Sequence, residues 1–171
     1  MRVVIQRVQY AHVLINNEEK RSSGQGLVVL LGIEHKDDSS DVAWLVNKVL
    51  NLRIFNDEKG VMNKSLLDMG GDLMVISQFT LMAATKKGNR PSYINAAKHE
   101  HAIPLYEMFV QLAENSLSKK VITGSFGADM QVELCNDGPV TIWIDSKNRE
   151  CSYKRLTSIS KGMLNRSSTS F

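Results

Sequence analysis

The alternation of hydrophobic and polar positions predicts β-strands at both ends of the chain. Residues 2–8 alternate with a period of two, which places Arg7 on the same strand face as Val3 and Ile5. Residues 11–15 are expected to form the hairpin partner of this strand. Near the other end, residues 130–134 and 140–144 alternate in the same way, with a turn predicted between them at 136–138.

The middle of the chain predicts two amphipathic helices and buried strands. Residues 41–50 place apolar side chains at i, i+3, i+4, i+7 and i+8, and Ser39 or Ser40 could cap this helix. A second helix is expected to have Pro104 in its first turn. Continuous apolar runs, typical of strands buried on both faces, lie at 27–32 and 73–76. Strands at both ends and helices between them indicate an α/β domain with helices packed over a sheet.

Composition narrows the class of protein. The chain has 171 residues, of which 43% are hydrophobic and 23% charged, and these values exclude a disordered chain, a collagen and a coiled-coil rod. Two cysteines form no disulfide framework, and the charged N-terminus lacks a signal-peptide core, so a cytoplasmic protein is expected. The longest apolar run, 27–31, is far shorter than the roughly 20 residues that span a bilayer, so no membrane partner is expected.

The positive charge of the chain, +3 in total, resides in its last part. Residues 146–171 contain six Lys or Arg and one acid, whereas residues 1–145 carry a net charge of −2. The last part also contains seven serines and little apolar periodicity, so it is expected to be a mobile basic tail on a domain formed by residues 1–145. Weak contacts with phosphates are one role for such a tail, and a solubilising extension is the simpler one.

The chain lacks the standard catalytic motifs. It has no nucleophile elbow, phosphate-binding loop, dinucleotide fingerprint or zinc-protease helix. Its four histidines show no ligand spacing, so neither a metal nor a cofactor is expected. In Ser77-Gln78-Phe79-Thr80 a buried strand ends in polar groups, which could receive an oxyanion or only cap the strand. In the segment 136–141 a Gly-Pro bond, a type that can be cis at modest cost, lies where an ordinary turn is the alternative.

Taken together, these stretches resemble the D-aminoacyl-tRNA deacylase family, formerly named D-tyrosyl-tRNA deacylases. The similarity covers about residues 1–145 and consists of six motifs in the family's order. The motifs are Met1–Val8, Leu52–Phe55, Ser77–Leu81, Lys87–Ser92, Gly124–Met130 and Asn136–Thr141. The resemblance implies a single α/β domain of barrel-like β-sheets with two amphipathic helices packed on one side.

The resemblance also implies a proofreading enzyme. The family hydrolyses the ester that joins a D-amino acid to the 3′ end of tRNA, and it also acts on glycine mischarged on tRNA-Ala. It works as a homodimer, in which a cis Gly138-Pro139 peptide would enter the active site of the other subunit. The backbone carbonyls of this peptide would hold the substrate's amino group, so the side chain of an L-amino acid would collide. The terminal ribose 2′-OH would assist the reaction, which accounts for the missing catalytic triad.

Catalytic roles implied by the resemblance fall on residues 77–80. Phe79 and Thr80 would line the scissile ester and offer backbone N–H groups. Ser77 and Gln78 would orient this strand end. The Thr80 hydroxyl is expected to support the oxyanion or position the ester, because no base is evident beside it.

Binding roles implied by the resemblance fall on three other regions. Arg7 would bond the carbonyls of the Gly-Pro loop, and a sheet-edge ion pair is its alternative. The same loop motif includes Asn136 and Thr141. Phe126 and Met130 would help to form the pocket of the terminal adenosine, unless they are core residues. The basic loop that would contact acceptor-stem phosphates, or only be solvated, contains Lys86, Lys87 and Arg90.

Two further functions stay open at this point. The basic tail would suit a nucleic-acid-binding dimer that has the fold but no catalytic activity, since fold does not determine function. A small-molecule esterase would use Thr80 or Ser77 as its nucleophile. That second function needs a base beside the hydroxyl, and the sequence does not indicate one.

Overall fold

A computed structural model describes residues 1–149 of the chain, so most of the predicted basic tail lies outside the described residues. The described part contains eight β-strands and three α-helices. The strands are β1 (Arg2–Ile15), β2 (Glu19–Ser23), β3 (Gly26–Gly32), β4 (Phe55–Asn56), β5 (Met62–Lys64), β6 (Asp72–Ser77), β7 (Ile122–Thr123) and β8 (Met130–Asp145). The helices are α1 (Ser39–Asn51), α2 (Leu66–Met69) and α3 (His99–Leu117), and a 3-10 turn covers Phe79–Met82. None of these helices is long and apolar enough to cross a membrane.

Six strands form a nearly closed, barrel-like sheet. Its order is β2-β1-β3-β6-β7, and β8 pairs with β1. β1 is antiparallel to β2, β3 and β8, whereas β6 runs parallel to both β3 and β7. At the two ends of this order, Arg21 of β2 donates a hydrogen bond of 2.7 Å to the carbonyl oxygen of Thr123 in β7. The predicted α/β class with a barrel-like sheet is confirmed.

The two hairpins predicted at the chain ends are wrong, because each is one long strand. β1 and β8 pair with each other from Arg2 opposite Asp145 to Ile15 opposite Met130. A bulge interrupts this ladder, so that Arg7 alone lies opposite the four residues 137–140. The bulge contains Asp, Gly and Pro, which are also common turn residues, and local sequence cannot distinguish the two structures.

Apolar cores lie on both faces of the sheet. Alternation along β3 sends Leu27, Val29 and Leu31 to the core beneath the helices and Val28 to the other core. Helices α1 and α3 contact each other over the first face. The second core is enclosed by the later half of β1 and the earlier half of β8. The predicted placement of both amphipathic helices on one side is therefore confirmed.

Both predicted helices form, but the predicted N-terminal details are wrong. Asp38 caps α1 instead of Ser39 or Ser40: its carboxylate accepts from the Ser40 N–H at 2.8 Å, and Asp41 returns a reciprocal bond. This is a capping box, which satisfies two N–H groups at once. α3 begins at His99, so Pro104 lies inside the helix and not in its first turn. Burial of the helix face compensates for the one hydrogen bond that proline cannot make.

The first residues after β8 are bonded to the domain. The Ser146 N–H donates to the Met1 carbonyl at 2.8 Å, and Lys147 pairs with the buried Asp41 carboxylate at 2.6 Å. The Arg149 guanidinium lies 4.5 Å from the centre of the Trp44 ring. These contacts extend four residues beyond the predicted boundary at residue 145.

Candidate active site

A cavity of about 760 Å³ lies at the carboxyl ends of the parallel strands β3 and β6. This edge of a parallel sheet is where α/β proteins commonly bind ligands. Five segments form its walls: the ends of β3 and β6, the 3-10 turn, the start of α3 and the segment that links β7 to β8. Polar and aromatic lining residues include Ser77, Gln78, Phe79, Lys98, His99, Glu100, Phe126 and Asp129. The volume suits a small organic ligand or the end of a larger one.

The catalytic residues expected at 77–80 lie on one side of this cavity. Ser77, Gln78 and Phe79 line it, whereas Thr80 is not among the lining residues. The Gln78 N–H donates to the Leu31 carbonyl at 2.8 Å, which ties the strand end to β3. The Gln78 side-chain amide donates to the Thr80 hydroxyl. Phe79 and Thr80 then begin the 3-10 turn, where the first N–H groups of a helix have no partner within it.

An exposed aromatic pair stands at the mouth of the cavity. Phe79 is 57% exposed, although large apolar side chains are usually buried. Its ring meets that of Tyr93 edge-on, with 5.1 Å between the centroids. These two rings offer an apolar surface to whatever enters the cavity. Tyr93 was not predicted as a site residue, because its contact with Phe79 depends on how the loop folds back.

The opposite wall is the segment 124–130, which carries Phe126 and Met130, and both side chains line the cavity. The Phe126 ring lies edge-on to the rings of His99 and Tyr106, at centroid distances of 5.5 and 5.8 Å. The Tyr106 hydroxyl donates to the Val75 carbonyl at 2.8 Å. Burial raises the pKa of Tyr106 to about 12, so it stays a neutral donor. These two contacts with α3 hold the Phe126 ring in place where it lines the cavity.

Residues around Gly138 form a second, separate cluster. The Gly138-Pro139 peptide bond is cis, Gly138 has a φ of +122°, and both residues are exposed. Arg7, which is 6% exposed, donates to the Asp137 carbonyl at 3.1 Å and to the Ile54 carbonyl. It also pairs with the Asp137 carboxylate at 3.3 Å. Arg7 thus makes both of the contacts considered from the sequence, a hydrogen bond to a loop carbonyl and an ion pair.

Two side chains close this loop across its base. The Asn136 amide donates to the Thr141 hydroxyl at 3.0 Å and accepts from the Val140 N–H at 2.9 Å. Hydrogen bonds from Arg7 and Asn136 to the flanking residues therefore hold the exposed Gly138-Pro139 peptide in place.

The two clusters do not meet within one chain. Arg7, Asn136, Gly138, Pro139 and Thr141 are all absent from the lining of the cavity. The predicted residues around the Gly-Pro loop therefore lie outside the cavity of their own chain.

The predicted basic loop lies next to the cavity in sequence and in space. Lys86, Lys87 and Arg90 are all exposed. The loop is closed at its neck by paired hydrogen bonds between Ala84 and Ser92, of 2.8 and 3.0 Å. It begins after the 3-10 turn and ends before Tyr93, whose ring contacts Phe79, so the neck of the loop lies beside the cavity.

Several cavity residues escaped the sequence analysis. Lys98, His99 and Glu100 line the cavity from the first turn of α3, and Tyr106 supports it from the next turns. The predicted second helix had Pro104 in its first turn, so these three residues fell before it and were not considered as site residues. Only the carboxyl edge of the sheet could have pointed to them. Within residues 1–149, the esterase hypothesis finds no support: no carboxylate or imidazole bonds to the hydroxyl of Ser77 or Thr80.

Comparison with known proteins identifies the family. A family model described as D-Tyr-tRNA(Tyr) deacylase matches residues 4–145. The chain belongs to this family. The D-aminoacyl-tRNA deacylase of Bacteroides thetaiotaomicron is 59% identical over 150 residues, which cover 88% of this chain and all of that protein. The protein of the same name from Azobacteroides pseudotrichonymphae is 61% identical over the same shares of the two chains.

Solved structures of the family's fold match as well. A structure described as the c-Myc DNA Unwinding Element Binding Protein is 39% identical, with a TM-score of 0.80, and the match covers 85% of this chain and 98% of that one. A structure of a probable eukaryotic D-amino acid tRNA deacylase is 20% identical, with a TM-score of 0.74 over 84% of this chain and 98% of that one. The second likeness shows a shared fold alone.

Proposed function

We propose that this protein hydrolyses the ester bond of D-aminoacyl-tRNA. Water adds to the ester carbonyl, the acyl–oxygen bond breaks, and free D-amino acid and tRNA are released. The observation that carries this proposal is that Ser77, Gln78 and Phe79 of the family's Ser-Gln-Phe-Thr segment line one cavity together with Phe126 and Met130. Relatives about 60% identical over their whole length bear the name of this activity.

Within the cavity we assign the terminal adenosine to the wall that carries Phe126 and Met130. Aromatic side chains are the usual means of holding an unpaired RNA base. The ester would then lie toward Phe79 and Thr80, whose N–H groups at the start of the 3-10 turn stabilise the developing oxyanion. The ribose 2′-OH of the substrate assists the attack, so the protein contributes mainly position and backbone donors. No cofactor is needed for this reaction.

Rejection of L-amino acids is assigned to the Gly138-Pro139 loop of a second subunit. The loop is exposed, braced by Arg7 and absent from the lining of its own cavity, as an insert into a partner would be. The long strand β8 pairs only with β1 among the described strands, so its other edge is available to a second copy. Carbonyl oxygens of the loop would hold the substrate's amino group, so an L side chain would collide with the loop. Glycine, which has no side chain, would be accepted, and glycine mischarged on tRNA-Ala is then also a substrate.

The basic loop and the cellular location complete the proposal. Lys86, Lys87 and Arg90 would contact acceptor-stem phosphates, which position the tRNA without reading its sequence. Proofreading of aminoacyl-tRNA places the protein in the cytoplasm, where translation takes place.

The experiment compares D- and L-tyrosyl-tRNA as substrates, each with a terminal ribose or its 2′-deoxy form. We expect rapid hydrolysis of the D ester alone and strong suppression by the 2′-deoxy ribose. Equal hydrolysis of D and L esters would refute the assigned role of the Gly-Pro loop. Full activity on the 2′-deoxy substrate would refute RNA assistance.

A second candidate function is nucleic-acid binding without catalysis. The structural relative at 39% identity is described as a DNA element binding protein, and residues 146–171 of this chain carry a net charge of +5. Binding of tRNA with no hydrolysis of either ester would favour this function over the deacylase. Hydrolysis of a simple D-amino-acid ester that lacks RNA would instead favour a small-molecule esterase.

A further inference from the structure

Residues 124–130 form one wall of the cavity and are here termed the wall segment. Phe126 packs against α3 in the middle of this segment, and hydrogen bonds hold its two ends. It joins β7 to β8 and has no helix or strand of its own before Met130. It nevertheless supplies five of the residues that line the cavity. A segment without regular structure keeps its position only if neighbouring elements bond to it.

The first end of the wall segment is held by Arg21 of β2. One terminal nitrogen of its guanidinium, Nη1, lies 2.7 Å from the Thr123 carbonyl oxygen, 3.1 Å from the Thr123 hydroxyl and 3.2 Å from the Gly124 carbonyl oxygen. Its Nε donates to Glu19 at 2.7 Å, which orients the guanidinium from the other side. The Gly124 N–H also donates to the Val75 carbonyl at 3.3 Å.

The second end of the wall segment is held by the same hairpin. The Asn16 N–H donates to the Asp129 carbonyl at 2.9 Å, and the Asn17 side chain accepts from Gln131 at 2.9 Å. Asn16 and Asn17 both have left-handed backbone angles, with φ of 50° and 61°, so they form a tight turn between β1 and β2.

The two ends also touch each other across the base of the segment. A Cβ atom placed on Gly124 would lie 2.4 Å from the Met130 sulfur, so any larger residue there would require the Met130 side chain to move. The wall segment is therefore a loop whose two ends lie close together and are both hydrogen-bonded to the β1–β2 hairpin.

We propose that Arg21 is a positioning residue for substrate binding, because it fixes the wall segment that carries Phe126 and Met130. This inference rests on the proposed function, in which that wall receives the terminal adenosine. Arginine suits the task because its planar fork can hold Glu19 and the carbonyls of Thr123 and Gly124 at once, whereas a lysine ammonium is a single point of contact. Among residues 1–149, Arg21 makes no hydrogen bond with the 3-10 turn, so the hydrogen bonds of the ester-binding side do not involve it.

The test separates substrate binding from the chemical step. We expect Arg21→Met to raise the KM for D-tyrosyl-tRNA about tenfold, which corresponds to the loss of one charge-assisted hydrogen bond. The kcat should change by less than about twofold, since the ester side keeps its contacts. Arg21→Lys should give an intermediate KM, because the ammonium can still reach one of the carbonyls. An unchanged KM in Arg21→Met, or a kcat that falls as much as KM rises, would overturn the proposal.

Lys20→Met is the matched control. Lys20 is the exposed neighbour of Arg21 on β2, so the variant removes the same charge from the same hairpin. We expect its KM to equal that of the wild type. An equal rise in KM for both variants would show that Arg21 acts by long-range attraction of RNA, which contradicts a positioning role.

Amide hydrogen exchange supplies a readout that needs no substrate. In Arg21→Met the amides of the wall segment should exchange faster, while those of α1 and β3 keep their protection. Unchanged exchange at the wall segment would contradict the inference even if KM rises. If Arg21→Met does not fold, Arg21→Lys carries the same two measurements. Absence of hydrolysis by the wild type would refute the proposed function, whereas the exchange experiment would still test the contact between Arg21 and the wall segment.

Discussion

Replacement of Arg7 by methionine tests whether the Arg7 guanidinium stabilises the Gly-Pro loop. Methionine keeps an unbranched apolar stem but has no donors. The change removes the bonds to the Asp137 and Ile54 carbonyls and the 3.3 Å ion pair with the Asp137 carboxylate. The site is almost inaccessible to water, since Arg7 is 6% exposed.

The expected cost follows from these contacts. A hydrogen bond to a charged group contributes about 1.5–3 kcal/mol, so two such bonds contribute roughly 3–6 kcal/mol. The Asp137 side chain is 30% exposed, and the water that replaces its partner offsets part of this loss. We therefore expect the free energy of unfolding to fall by about 3–4 kcal/mol. For a domain of this size that lowers the melting temperature by roughly 6–16 °C.

Urea denaturation and calorimetry of Arg7→Met measure this cost, with Arg53→Met as the control. Arg53 is exposed and donates a single bond, of 2.8 Å, to the Asn63 carbonyl, so its loss should cost less than about 1 kcal/mol. Under the proposed function, hydrolysis of D-tyrosyl-tRNA should also fall in Arg7→Met and not in Arg53→Met. A loss of stability below about 1 kcal/mol in Arg7→Met would refute the reasoning, because a buried brace cannot be removed at so small a cost.

Three further predictions use single substitutions or pH. Gly138→Ala should lower the rate of D-tyrosyl-tRNA hydrolysis at least about tenfold, with little change in the overall fold. The backbone φ is +122° there, and the new Cβ would lie 2.9 Å from the Arg7 guanidinium. A wild-type rate would contradict the assigned role of the loop. Gly124→Ala should raise KM in the same assay, because the new Cβ would lie 2.4 Å from the Met130 sulfur and would push that side chain aside. An unchanged KM would contradict a role of Met130 in substrate binding. Stability should fall between about pH 10 and pH 12, because the pKa of Tyr106 is near its ordinary 10 in the unfolded chain and about 12 when folded, so the unfolded state releases its proton first. Urea titrations should show a larger loss in the wild type than in Tyr106→Phe, which keeps only the loss from the lysines; equal losses would contradict the assignment to Tyr106.

Helices and strands were predictable from the sequence where the local spacing of apolar residues alone determines the element. The apolar stripe of α1 requires only local spacing, and Val42, Leu45 and Val49 are buried as expected. The strands at the ends were harder, since a break in alternation at 136–138 can be a turn or a bulge. Pairing with β1, more than 120 residues away, decides between the two, and no local signal carries that information.

The site divides in the same way. The strand end at Ser77 and the loop at Gly138 were visible as motifs, so their residues were named from the sequence. Their separation into a cavity and a protrusion depends on the course of β8 across the sheet. The part played by His99 and Arg21 lies in contacts between distant segments, at Phe126 and at Thr123, that spacing along one strand or helix cannot reveal.

The ladder between β1 and β8 has a consequence for the order of folding during synthesis. β1 is translated first, and β2 and β3 follow within the next residues, so one edge of β1 can pair early. Its other edge has to wait for β8, whose last paired residue is Asp145. Contacts between positions so far apart slow folding, and a waiting strand edge can join the wrong chain. The nascent chain therefore spends most of its synthesis with one edge of β1 unpaired, and among the described strands only β8 covers that edge.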